Sequence, residues 1–187
     1  ANKLDDDVEI HIIGGLEKDI KFWKNKILRK NIYFYGFVPH KKVSSYINAL
    51  DICLLPNQKI VSAYGSNSSN ISLNISSYTS PLKLFEYMSH KKPIIASDLP
   101  VIREVLNERN SILVKHDDIE LWISSIKKLK NFEYRETISN KSLSSEHGVN
   151  LLQRKDITSI ISRYVCNFHV FVSLSLYIHI LFSTQYW

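Results

Sequence analysis

The sequence is poor in the residues that punctuate or cross-link a chain. Its 187 residues include five glycines, five prolines and two cysteines. Cys53 and Cys166 lie far apart and imply no disulfide framework, which fits a reducing compartment. No Gly-x-Gly-x-x-Gly opens a helix. The stretch "IIGGLEK" supplies two glycines only, so a complete dinucleotide-binding domain is excluded. The seven histidines show neither metal-ligand nor zinc-finger spacing, and no local motif suggests a Ser-His-Asp or Cys-His arrangement. The opening "ANKLDDDVEI" is acidic and unlike a signal peptide, and it reads like the middle of a larger protein.

What is present is a globular composition, 44% hydrophobic and 22% charged, long enough for one domain with its own core. The formal charge of +6 suits a partner bearing phosphates or an anionic membrane surface. Its basic residues fall in short clusters at 24–30, 41–42, 91–92 and 127–130, so no nucleic-acid partner is expected.

Short apolar β-rich runs alternate with helical periodicity. "VEIHII" (8–13) is closed by Gly14 and Gly15, and Leu16, Ile20, Trp23 and Ile27 then share one helical face. A strand over 32–35 and a helix carrying Val43, Tyr46, Ile47 and Leu50 follow, then the strand "DICLLP" (51–56) with Cys53 packed as a small hydrophobe. A helix from Ser80, the strand "PIIAS" (93–97), a short helix over 101–106 and the strand "SILV" (111–114) come next. Asp118 is placed to cap a helix whose Ile119, Trp122, Ile123, Ile126 and Leu129 share a face. This order implies an α/β fold, a Rossmann-like parallel sheet flanked by helices, with ligands expected beyond the carboxyl ends of the strands.

Two stretches stand outside the pattern. Residues 57–79 form a Ser/Asn-rich insertion, expected to be a flexible loop. From about Glu133 the periodicity degrades into a poorly defined helical and apolar tail, ending in the aromatic and β-branched run 164–187. Its apolar core, 168–182, is short of the roughly 20 residues a spanning helix needs, so a membrane-inserted role is a marginal alternative and a buried or aggregation-prone tail is the favoured reading.

The stretch "SPLKLFEYM" (80–88) carries the chemistry. Ser80 reads as an N-cap and Pro81 as the first helical residue. Lys83 then stands where the helix dipole is positive, at a cost of about 0.3–1 kcal/mol. An anion held between the N–H groups of Leu82 and Lys83 and the lysine ammonium would explain that cation. Glu86 lies on the same face, placed to accept hydrogen bonds from sugar hydroxyls. A plain Lys83–Glu86 surface pair is the competing reading, and spacing does not choose between them. Asp98, Arg103 and Glu104 read as structural loop and helix charges, and the triplet at 5–7 as a solvated terminus.

"YTSPLKLFEYMSHKKPIIASDLPVIREVL" (78–106), preceded by "NIYFYGFVPHKKVSSYINALDICLLP" (31–56), closely resembles the nucleotide-sugar-binding C-terminal domain of group 1 glycosyltransferases of the GT-B fold. The resemblance implies that residues 1–132 form part of that donor-binding domain. It implies that Glu86 bonds the donor ribose, that the turn holding Thr79, Ser80, Leu82 and Lys83 approaches the diphosphate and sugar, and that Phe37 and Val38 lie near the base. Tyr78 stands where the family often carries a first glutamate. No catalytic residue is assigned. The implied partners are a nucleotide diphosphate sugar as substrate and a separate acceptor domain, with no cofactor or essential metal. The implied location is cytoplasmic, with peripheral association at the inner face of a membrane. Two further readings stand beside this: a non-catalytic remnant that at most binds nucleotide, and a fragment of a GT-B sugar-nucleotide epimerase.

Overall fold

The computed structural model describes residues 3–58, 61–62, 72–73, 82–144 and 177–182, giving the backbone alone for 61–62, 72–73, 82, 143–144 and 177–182. Six strands make the main sheet: β1 (Val8–Ile13), β2 (Ile32–Gly36), β3 (Ile52–Leu55), β6 (Ile94–Ser97), β7 (Ile112–Val114) and β8 (Tyr177–Phe182). The helices are α1 (Glu17–Lys26), α2 (His40–Ala49), α3 (Leu82–Ser89), α4 (Pro100–Arg103), α5 (Ile119–Lys128) and α6 (Phe132–Ser144). Within the 57–79 insertion, β4 (Val61–Ser62) and β5 (Ser72–Leu73) pair antiparallel.

The strand order is β2-β1-β8-β3-β6-β7. β1 and β2 run parallel, as do β3, β6 and β7, in keeping with the expected parallel α/β architecture. β8 departs from it. It enters between β1 and β3, antiparallel to both, with Ile178 opposite Ile12 and Leu54. The strand lies within the tail read as helical and apolar, and its neighbours are edges far away in sequence.

Alternation along the central strands feeds two cores. Cys53 and Leu55 of β3 and Ile94 and Ala96 of β6 pack with Val43 and Ile47 of α2, Leu84, Tyr87 and Met88 of α3, and Ile102 of α4. On the opposite face Ile52, Leu54 and Ile95 pack with Ile123, Ile126 and Leu129 of α5 and Ile138 of α6. Both faces are covered, which is why these strands are apolar at every position. Leu84, Tyr87 and Met88 are fully buried. At about 1.5–3 kcal/mol for each large apolar side chain, they fix α3 firmly to the sheet.

Several local readings are revised. Leu16 and Trp23 are each about half exposed rather than buried, because α1 lies over the edge strand β2, where Ile20 sits against Gly36. Gly36 has φ +67°, so a side chain there is strained by the backbone, although a Cβ would meet Ile20 only at ordinary contact distance. Ile119 is exposed at the start of α5, while Ile123, Ile126 and Leu129 are buried as expected. The Asp118 carboxylate accepts from the Leu121 N–H at 2.9 Å and caps α5. The acidic triplet is not simply solvated. Lys130 Nζ lies 2.9 Å from Asp5 and 2.6 Å from Asp7, Lys127 reaches Asp5, and Arg29 reaches Asp6. α6 is a full helix within the segment whose periodicity degrades, and it buries Ile138 beside Ser139 and Ser142.

Among the described residues, no helix is long and apolar enough to cross a membrane.

Candidate functional site

α2 follows β2 and so begins at the carboxyl edge of the parallel sheet, whereas α3 comes after β3 and the β4–β5 insertion and meets the start of α2 through the His40–Glu86 contact. α3 starts at Leu82, which puts Lys83 in its first turn, where backbone N–H groups lack intrahelical partners. No acidic residue occupies that turn. Thr79 and Ser80 lie outside the described residues, and so does the expected N-cap.

Lys83 is half-buried. Burial pulls its ammonium down to about 8, and the nearby Glu86 carboxylate acts in the opposite direction. Desolvation and a helix dipole both disfavour a cation, so this position suits an anion close by.

Glu86 is the most constrained polar residue of the group. Its side chain is 20% exposed, and Oε1 accepts from His40 Nε2 at 3.1 Å, which must be the donor because a carboxylate only accepts. Its backbone carbonyl accepts from Ser89 Oγ and from His90 Nδ1, both at 2.7 Å. With the proton on Nδ1, the neutral ring of His90 presents Nε2 to the Ser44 hydroxyl at 2.7 Å. Two rungs therefore tie α2 to α3, His40 to Glu86 and Ser44 to His90, each spanning 46 positions. Lys92 adds a third tie: its Nζ donates to the carbonyls of Asn48 and Leu50, at the C-terminal end of α2 where a cation is favoured.

Phe37 and Val38 precede α2 at the same edge and differ in exposure. Val38 packs against the core, whereas Phe37 is 85% exposed. An aromatic ring in that position is a free platform beside the start of α2.

Asp98 serves structure. Its two oxygens take the Arg103 guanidinium in a fork, Nη2 to Oδ2 at 3.0 Å, and Glu108 closes on Arg103 Nη1 at 2.9 Å. Arg103 holds the Asp98 carboxyl below its usual range. Cys53 is fully buried, and burial pushes its thiol up, far from a thiolate. No group of three or more metal-ligating side chains occurs among the described residues.

Local spacing singled out Lys83 and Glu86, and the structure puts both on α3, with Glu86 joined to His40 two residues beyond Val38. It missed His40, whose position at the start of α2 was visible but whose partner was not.

The comparisons with solved structures bear on the fold. Solved structures similar to the chain include Anabaena HepE in complex with UDP and glucose, at 17% identity and a TM-score of 0.55, covering 83% of this chain and 40% of that one. A variant of S. aureus TarM in complex with UDP and other ligands matches at 16% identity and TM-score 0.54, over 86% and 29% of the two chains. Sucrose-phosphate synthase from Thermosynechococcus elongatus matches at 18% identity and TM-score 0.50, over 80% and 34%. These likenesses establish a fold shared with part of GT-B glycosyltransferases, and the chain spans well under half the length of each. No curated protein matches the sequence. The profile of glycosyl transferases group 1 covers residues 1–131, and with that extent of match the chain belongs to the group 1 glycosyl transferases.

Proposed function

We propose that this chain is the donor-binding portion of a glycosyltransferase that moves a sugar from a nucleotide diphosphate sugar to an acceptor hydroxyl in polysaccharide or glycoconjugate synthesis. The observation that carries the reading is Lys83: a half-buried cation in the first turn of α3, pulled down to about 8 by burial. A diphosphate seated there answers both unfavourable terms at once, the desolvation and the dipole. HepE, a protein of the same fold, is known in complex with UDP-glucose, which supports a nucleotide-sugar donor.

In this reading the ammonium of Lys83 and the N–H groups of Leu82 and Lys83 stabilise charge that develops on the leaving diphosphate. Glu86 accepts from ribose hydroxyls, Phe37 and Val38 flank the base, and Thr79 and Ser80 complete the phosphate turn. The acceptor is held by a separate domain. The site works in the cytoplasm, beside a membrane where the growing glycan is assembled.

Calorimetric titration with UDP, GDP, ADP and their sugars tests the proposal. Binding of one nucleoside diphosphate, lost on Lys83→Gln, supports it. Absence of binding by all of them overturns it. Binding without transfer, even when the acceptor domain is supplied, favours the non-catalytic reading.

A further inference from the structure

Resting on the donor-binding reading of Glu86, we infer that His40 is a positioning residue for the sugar of the bound nucleotide. It fixes the Glu86 carboxylate from the neighbouring helix and makes recognition of the ligand hydroxyls depend on α2 as well as α3.

The argument begins with freedom. A glutamate on an eight-residue helix has three side-chain torsions to lose before its carboxylate can meet a pair of hydroxyls in one orientation. The His40 contact removes part of that freedom in advance. His40 Nε2 stands 3.1 Å from Glu86 Oε1 and favours one orientation of the carboxylate. The carbonyl of the same residue is gripped by Ser89 and His90, so backbone and side chain are held from different directions.

His40 contrasts with its partner in exposure. Its side chain is 81% exposed while that of Glu86 is 20% exposed. A histidine placed for packing would be covered. This one hangs at the first position of α2, with its ring in solvent and one nitrogen on a partly buried carboxylate. Removing it leaves no cavity and strips no core contact, so any effect falls on the carboxylate. The second rung, Ser44 to His90, already ties the two helices together, so helix packing does not require the first. What His40 adds is orientation of an acceptor.

The proposal separates two parts of one ligand. The diphosphate meets Lys83 and the start of α3, whereas the ribose meets Glu86. Loss of His40 should therefore weaken ligands that carry the ribose and spare those that do not.

The test is calorimetric titration of the full chain with UDP (or GDP or ADP, whichever binds best) and with inorganic pyrophosphate. Wild type, His40→Ala, His40→Gln and Ser44→Ala are compared, each with its melting temperature. The expected result is a 3–10-fold rise, roughly, in the nucleotide Kd of His40→Ala with pyrophosphate affinity unchanged. His40→Gln, whose amide donates from a similar reach, should recover most of the loss. Equal weakening of both ligands with a lowered melting temperature would make the contact structural and overturn the inference. Unchanged nucleotide affinity would overturn it too, leaving the donor-binding reading intact. A wild type that binds neither ligand would defeat the donor-binding reading itself, and this inference with it.

Discussion

Lys83 and Glu86 lie one helical turn apart on α3 with opposite charges, yet the Lys83 ammonium remains pulled down to about 8. Burial outweighs the attraction of the carboxylate, and Glu86 is at the same time engaged by His40. The competing readings of the pair, a plain surface salt bridge and a phosphate site, differ in what they predict for Lys83. In the donor-binding reading, an anionic ligand at the start of α3 would offset the burial of the Lys83 ammonium.

Replacing Lys83 by Gln should then have opposite effects on the two states of the protein. Without ligand, stability stays level or rises by up to about 1 kcal/mol, because a desolvated charge beside a positive dipole is removed. With ligand, diphosphate affinity falls by about 1.5–3 kcal/mol, the scale of a charge-assisted contact. Paired melting curves with and without nucleoside diphosphate read both. A mutant that is less stable alone and equally stabilised by ligand contradicts the account.

The pH dependence follows from the same residue. The folded value of about 8 lies below the ordinary lysine value of 10.5. Between them the unfolded chain holds a proton that the folded chain has released, so this group makes stability rise with pH across that window. The advantage of Lys83→Gln over wild type should be greatest below about pH 8 and shrink above it. Diphosphate affinity should move the other way, weakening in wild type as pH rises through 8 toward 10 while staying flat in the mutant. A pH-independent difference between the two proteins counts against a buried ammonium.

Glu86→Ala should weaken nucleotide binding by about 1–3 kcal/mol while leaving the fold in place, since the buried side chains that anchor α3 are Leu84, Tyr87 and Met88. Titration and melting temperature together decide. Unchanged affinity with a large loss of melting temperature would assign Glu86 to structure.

The acid limb of stability should trace to Asp5. Hydrogen bonds from Lys130 and Lys127 hold its carboxyl down to about 2, against an ordinary 3.8. A depressed carboxylate contributes stability that is present above the unfolded value and lost as pH falls through the folded one. Asp5→Asn should lower the melting temperature at neutral pH and flatten its fall between about pH 4 and 2. An unaltered acid profile would show the contacts to be idle in solution.

How far the sequence reveals the molecule depends on the range of each interaction. The positions of β1, β3 and β6 and the Asp118 cap are legible because their signals lie within a few residues. The half-exposure of Trp23 is not, since periodicity shows which residues share a face and not whether anything covers it. The place of β8 between β1 and β3 and the grip of Lys130 on Asp5 and Asp7 join residues more than a hundred positions apart. At the site, Lys83 and Glu86 stand out because one helix sets their spacing, and His40 escapes because its partner lies on another. α6 was obscured by the serines it buries beside Ile138, which break the apolar stripe.

The central claim is that the start of α3 binds a diphosphate and that Glu86 adds recognition of the attached ribose. It is tested most directly by titrating the wild-type chain with uridine, UMP, UDP and pyrophosphate under one set of conditions. The account predicts that pyrophosphate binds measurably alone, that UDP binds more tightly than UMP by at least about tenfold, the scale of one charge-assisted contact, and that uridine binds weakest. Equal affinity for uridine, UMP and UDP, with no binding of pyrophosphate, would contradict it.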